Sequence, residues 1–297
     1  MIRVLGTVFA ALMGLAFGSF LNVCLTRWPA GESIVKPRSH CRNCGRTLAW
    51  WENVPLVSWI ALRGRCRSCG TWIGWRYVIV EATLGACCAI AAWQKLGLAL
   101  TRLAGGATLL PSTVFADFEV VIGTGVFCFL LLGLAALDAQ HMWLPDAVTL
   151  PGIALGIAFS VSLILESIQY FTVQPPIWQT VTEYLLGILA AAALILLIRW
   201  IYKLIRHREG LGLGDAKLMA MLAAWLGFPG ALLSFAIGVI LGSLAAIILL
   251  ARGAKSTTQE TWATTKLPLG TFLCIGGIVS SLWGQPIIAA YLRWAGF

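Results

Sequence analysis

Residues 4–25 run for more than 20 positions without a charge. As a helix rising ~1.5 Å per residue, such a run crosses the ~30 Å hydrocarbon layer of a membrane. A secretory signal is the competing reading, but the apolar stretch is too long for one and only Arg3 precedes it. The pattern recurs at 77–100, 120–137, 147–165 and 184–198, and residues 218–251 carry no charge for 34 positions. At ~1.5 Å rise that last stretch measures about 51 Å, too long for one crossing. Pro229-Gly230 interrupts it, so it reads as a short helix, 218–228, followed by a longer one. Residues 267–285 complete the set. Only 11% of the chain is charged, against about 25% in soluble domains. A soluble globule and a disordered chain are both excluded. The expected fold is an all-α polytopic membrane protein with about eight transmembrane helices.

The basic residues assign the sides of the membrane. With 27–76 placed inside, 17 Lys and Arg lie inside and four, Arg3, Lys95, Arg102 and Arg293, lie outside. The inner set beyond the loop is Arg199, Lys203, Arg206, Arg208, Lys217, Arg252, Lys255 and Lys266. This is the positive-inside asymmetry, and it puts both termini outside. The net charge of +9 then reflects topology and attraction to anionic lipid headgroups, with no nucleic acid implied. The expected organisation is a first transmembrane helix, 1–26, a cytoplasmic four-cysteine domain, 27–76, and a membrane core of seven further helices, 77–297.

Within the loop, Cys41-Arg-Asn-Cys44 and Cys66-Arg-Ser-Cys69 form two C-x2-C pairs with 21 residues between them. Four thiolates presented by two knuckles are the tetrahedral structural Zn²⁺ arrangement, here a small zinc-ribbon-like domain. Gly45 and Gly70 follow the second Cys of each pair, where a tight turn aims backbone amides at sulfur. A loop of about 50 residues with few aliphatics needs such a staple. Disulfides or redox thiols are the alternative, which the reducing cytoplasm disfavours. Cys24, Cys87, Cys88, Cys128 and Cys274 lie in apolar runs as small buried hydrophobes.

Two aspartates stand at membrane ends: Asp138 directly after 120–137, and Asp215 in Gly212-Leu213-Gly214-Asp215-Ala216-Lys217. Acidic residues in such positions are functional candidates, with helix capping as the bland alternative for each, and for Asp146 before 147–165. Two crossings separate Asp138 from Asp215, so both carboxylates end on the inner side at similar depth. Two close carboxylates do not both ionise readily. One can act as base on a water while the other donates to a carbonyl oxygen. Gly212 and Gly214 keep side chains out of the way of an approaching peptide backbone. The H-e-x-x-H pattern of a membrane metalloprotease is absent.

These residues carry a resemblance that runs nearly end to end. Gly18-Ser19-Phe20-Leu21-Asn22-Val23, Pro37-x-Ser39-x-Cys41-x-x-Cys44 and Asn53-x-Pro55-Leu56-x-Ser58-Trp59 resemble the type IV prepilin peptidases, the bifunctional GxGD aspartic proteases. Leu62-Arg63-Gly64-x-Cys66-x-x-Cys69, Arg76-Tyr77-x-x-x-Glu81, Leu137-Asp138 with Leu144-Pro145-Asp146, and Gly212-x-Gly214-Asp215-x-Lys217 continue it. The departures, Arg42, Trp72 and Gly74, replace no aspartate or thiol.

The resemblance implies that leaders of type IV prepilins and type II secretion pseudopilins are cut after a Gly. It also implies that the new N-terminus is methylated from S-adenosylmethionine. Asp138 and Asp215 would be the catalytic pair, supported by Gly212, Gly214, Lys217 and Asp146. The methyltransferase is associated with the cysteine loop. No Gly-rich nucleotide fingerprint places the methyl donor, for which Glu52, Asn53, Arg63, Arg76 and Glu81 are the candidates. The implied location is the bacterial inner (cytoplasmic) membrane, with both termini periplasmic and the active site at the cytoplasmic face. The alternatives are a proton-coupled transporter, which lacks the expected inverted repeats, and a non-catalytic zinc-ribbon adaptor, which leaves Gly212–Asp215 unexplained.

Overall fold

The computed structural model describes residues 1–105, 111–168, 176–207, 212–253 and 267–296. Of the basic residues assigned to the inner side, Arg208, Lys255 and Lys266 lie outside the described residues. Among the described residues seven helices are long and apolar enough to cross a membrane: α1 (Ile2–Arg27), α3 (Arg76–Ala104), α4 (Pro111–His141), α5 (Asp146–Ile168), α6 (Ile177–Arg206), α7 (Leu213–Gly253) and α8 (Leu269–Trp294). A short α2 (Val57–Ala61) lies in the cysteine loop. Among the described residues no strand forms beyond two isolated bridges. Many large apolar side chains stay exposed, among them Phe9, Leu12, Leu189, Leu197, Ile240 and Leu244. Water would not tolerate so much bare apolar surface; lipid does. The fold is an all-α polytopic membrane protein.

The eighth expected crossing is inside α7. Gly227 has φ 70° and ψ 171°, a region only glycine occupies at low cost. Pro229 follows as an early residue of a new helix, where its missing N–H costs nothing. Side-chain positions show that the chain reverses there. A Cβ on Gly214 would lie 3.1 Å from Leu144, whose Cδ1 is 3.0 Å from the corresponding point on Gly270. Gly242 makes the same kind of approach, 3.4 Å, to Phe272. Residues 214 and 242 therefore both reach the first turn of α8, although a straight helix would hold them about 42 Å apart. α7 is two arms, 213–226 and 228–253, so the short helix starts five residues earlier than the sequence reading and ends two earlier. The first arm is buried at every position from 218 to 225, as expected of a helix apolar all round.

The chain packs as two compact units, Met1–Gly133 and Leu134–Phe297, α4 passing from the first to the second. In the first, α1 and α3 meet at glycines. A Cβ on Gly14 would lie 2.7 Å from the Leu84 carbonyl oxygen, and one on Gly18 2.7 Å from Glu81 Cα. Gly14-x-x-x-Gly18 is thus a small-residue seam that brings two backbones together in lipid. In the second unit, Trp225 Nε1 donates to the Gly152 carbonyl at 2.9 Å, and the Ala224 carbonyl accepts from Ser160 and Tyr184. These bonds tie the first arm of α7 to α5 and α6.

Candidate functional site

In the second unit, Asp138 lies in the last turn of α4 and Asp215 in the first turn of α7. Both are buried, at 6% and 9% exposure. Leu144 joins their surroundings, because it packs on Gly214 beside Asp215 and on Gly270 beside Asp138. Each carboxylate has one oxygen held by backbone. Asp138 Oδ2 accepts the Thr271 N–H at 2.7 Å and lies 3.1 Å from the Thr271 hydroxyl. Asp215 Oδ2 accepts the Gly212 N–H at 3.2 Å. The N–H on Asp138 belongs to the opening turn of α8, where helix amides lack partners within the helix. Gly270 is what admits it: a Cβ there would sit 2.9 Å from Asp138 Oδ2.

Asp146 is the first residue of α5 and pairs with Lys217 Nζ at 2.6 Å, with both side chains exposed. The pair ties the start of α5 to the start of α7. Gly212 would have ordinary contact with Asp215 if it carried a Cβ, whereas Gly214 is needed for Leu144 to pack. Sequence reasoning missed Gly270 and Thr271. Their only signal is the Pro-Leu-Gly-Thr turn opening the last apolar run.

In the first unit, the four thiols of Cys41, Cys44, Cys66 and Cys69 lie within 4.8 Å of one another, with 3.7 Å between Cys41 and Cys69. Ligand sulfurs at ~2.3 Å from a tetrahedral zinc would be ~3.8 Å apart, so the four fit such an ion. The two knuckles share one backbone form. Gly45 and Gly70 both have positive φ and donate to the first cysteine's carbonyl at 2.9 Å, and each knuckle closes in a short bridge, His40 with Thr47 and Arg65 with Trp72. The Thr71 hydroxyl and N–H pull the Cys69 thiol down to about 5, favouring the thiolate a metal needs.

Below the knuckles, Glu52 is buried. It accepts the Ala49 N–H at 2.8 Å, and Arg46 Nη2 donates to its two oxygens at 2.7 and 2.9 Å. The Ala49 N–H, then Arg46, hold its carboxyl below the usual carboxylate range. Glu81, also buried, accepts the Leu56 N–H at 2.9 Å. Glu52, Asn53 and Glu81 line a cavity of about 440 Å³ that also takes in Ser19, Asn22 and Arg27. Arg63 is exposed, and Arg76 donates to the Thr26 hydroxyl at 2.7 Å; neither lines the cavity. Asn22 and Arg27 are further residues that the sequence candidates did not include.

Residues 12–95 match the model of the bacterial Peptidase A24 N-terminal domain, and residues 125–247 that of the type IV leader peptidase family. The chain is 31% identical to a prepilin leader peptidase/N-methyltransferase of Stutzerimonas stutzeri, covering 96% of this chain and 93% of the relative. It is 32% identical to the protein of that name from Pseudomonas aeruginosa, with 96% and 93% covered. Identity is also 32% to the one from Xanthomonas campestris pv. campestris, with 98% and 96% covered. No solved structure matches the chain.

Proposed function

We propose that this chain, which belongs to the type IV leader peptidase family, removes the leader of prepilins and pseudopilins and then N-methylates the residue it exposes. The observation that carries the peptidase reading is the pair of buried carboxylates, Asp138 and Asp215, gathered around Leu144 with one oxygen of each fixed by a backbone N–H. Held in this way, one carboxylate takes a proton from water as the water oxygen attacks the scissile carbonyl carbon, and the other gives a proton to the carbonyl oxygen. Collapse of the tetrahedral species breaks the C–N bond: the proton taken from water leaves with the amine, and one hydroxyl proton returns to the carboxylate that had donated. The fixed oxygens spare the pair reorganisation during the reaction.

When bound, S-adenosylmethionine would supply a methyl group to the new amine, whose nitrogen would give up one proton while the C–S electron pair stayed on sulfur. Cys41, Cys44, Cys66 and Cys69 would hold a structural Zn²⁺, which would supply folding energy to a loop short of aliphatic core. Residues 27–76 form the cytoplasmic domain between a first helix, 1–26, and the core, 77–297. The protein sits in the bacterial cytoplasmic membrane with both termini periplasmic and the carboxylates at the cytoplasmic face. The exposed Trp50, Val57, Ile60, Trp72 and Trp75 among the loop's arginines suit contact with anionic lipid, and no nucleic acid is needed to account for the basic charge.

The test is incubation of the detergent-solubilised protein with a prepilin and S-adenosylmethionine, followed by mass spectrometry. Leader loss with a gain of about 14 Da on the mature chain, one added methylene, supports both activities. An intact prepilin sinks the peptidase reading, and a cut but unmethylated product sinks the second activity.

A further inference from the structure

We propose that the cavity of about 440 Å³ walled by α1, the cysteine loop and the start of α3 is the pocket for the methyl donor, a nucleoside sulfonium carrying an amino-acid zwitterion. The inference rests on the methyltransferase reading above and adds to it a place and a set of contacts. The volume falls within the ~300–1,000 Å³ of small-molecule sites.

The lining holds two buried charges of opposite sign without opposite-sign partners. Arg27 is 5% exposed, and its guanidinium donates only to backbone carbonyls, of Ser33 at 3.1 Å and Arg38 at 3.3 Å. Glu81 is 6% exposed and accepts the Leu56 N–H; among the described residues no Lys or Arg forms an ion pair with it. Buried charges are normally paired. A ligand that brings a carboxylate to Arg27 and a cationic sulfonium or ammonium to Glu81 completes both.

A third group asks for a donor. Asn22 is 1% exposed, its amide nitrogen donates to the Tyr77 carbonyl at 3.0 Å, and its Oδ1 is buried without a partner. Amino groups on the base and on the methionyl part of the donor both supply the missing N–H. Gly18, Asn22 and Thr26 recur at four-residue spacing and so share one face of α1. Gly18 brings that face against Glu81, and Asn22 and Thr26 line the cavity. Trp59 and Trp72, in edge-to-face contact at 5.6 Å, give the lining aromatic surface suited to a purine. Cys41 and Cys66 are part of the same wall, so the cysteine cluster and the pocket stand or fall together.

The test is direct binding of S-adenosylmethionine to the full-length, metal-containing protein in detergent by calorimetry, together with ultraviolet crosslinking of the labelled donor to the wild type and peptide mapping. Glu81→Gln and Arg27→Gln should each raise Kd about tenfold or more. Lys36→Gln, exposed and outside the cavity, should bind like the wild type. Metal content of each variant reports whether the loop is folded. The label should map within residues 19–81. Saturable binding with unchanged Kd in both cavity variants, or label on residues 134–297, overturns the pocket and leaves the methyltransferase reading standing. A wild type that binds no donor, with or without cleaved pilin, overturns that reading itself. Because the mapping uses the wild type, it decides the matter even if a variant fails to fold.

Discussion

Replacement of Gly270 by alanine tests whether the start of α8 positions Asp138. The added Cβ would lie 2.9 Å from Asp138 Oδ2, 3.0 Å from its Cγ and 3.0 Å from Leu144 Cδ1. Non-bonded carbon contacts relax to ~3.5–4.0 Å, so something must yield by about 0.5–1 Å. α8 cannot easily back away, because Leu273 and Cys274 in its next turn are fully buried. The carboxylate is the movable partner, and moving it breaks a 2.7 Å bond from the Thr271 N–H. A hydrogen bond to a charged group is worth about 1.5–3 kcal/mol, and a misplacement of ~1 Å at a reacting group costs about 10²-fold in rate. Gly270→Ala should therefore lower kcat for leader cleavage about 100-fold with KM little changed. The readout is steady-state cleavage of a prepilin by mass spectrometry, with Tm measured alongside. Thr271→Val keeps the amide and removes only the hydroxyl, so its loss should be nearer tenfold. A Gly270→Ala protein with near-wild-type kcat and unchanged Tm refutes the argument, as does a loss confined to KM.

Asp138→Asn or Asp215→Asn should abolish cleavage in protein that still inserts, while Asp146→Asn removes only an exposed pair worth about 0–1 kcal/mol; retained cleavage in Asp138→Asn contradicts the dyad. Freshly purified protein should contain one zinc per chain, and changing any one of Cys41, Cys44, Cys66 or Cys69 to Ser should lower it; elemental analysis without zinc removes the claim. Gly227→Ala forces an L-residue into φ 70°, ψ 171° and should cost about 1–3 kcal/mol, seen as a lower Tm; an unchanged Tm means the turn is not strained by a side chain. Cys66→Ser should reduce methylation more than cleavage. Asp215→Asn should block both on full-length prepilin yet spare methylation of a pre-cleaved pilin; failure on the pre-cleaved substrate indicates one shared site.

What the sequence makes legible is whatever a local pattern encodes. Apolar runs give the helices because a bilayer demands length and apolarity from each segment by itself. Two C-x2-C pairs give the thiol cluster because each knuckle is a closed local turn. The break in α7 is visible from Pro229, although the residue that turns is Gly227, two positions earlier. Centrality is not legible: 218–228 looks like the least credible crossing for its length, and it becomes the most buried arm because Gly156 on α5 lets Trp225 approach. The site partners of Asp138 are likewise invisible, since the Thr271 amide comes from 133 residues away. Glu52, Asn53 and Glu81, singled out by residue type in and just after the cysteine loop, line the cavity. Asn22 and Arg27 escape that reading because they sit at the end of an apolar helix, where a polar residue looks like a boundary signal.

Cleavage and methylation are coupled through the substrate, so the residues proposed for each can belong to different units of the chain. An amide nitrogen is a poor nucleophile, because its lone pair is delocalised into the carbonyl. The nitrogen that receives the methyl group becomes reactive only when the C–N bond to the leader is broken. The order of the two steps is thus imposed by the pilin's own chemistry and needs no gate in the protein. The carboxylates and the groups that hold them, Leu144, Gly212, Gly270 and Thr271, all belong to residues 134–297, whereas the thiol cluster and the cavity belong to residues 1–133. On the sites proposed above, the two chemistries share no residue: the carboxylate pair belongs to residues 134–297 and the methyl-donor cavity to residues 1–133.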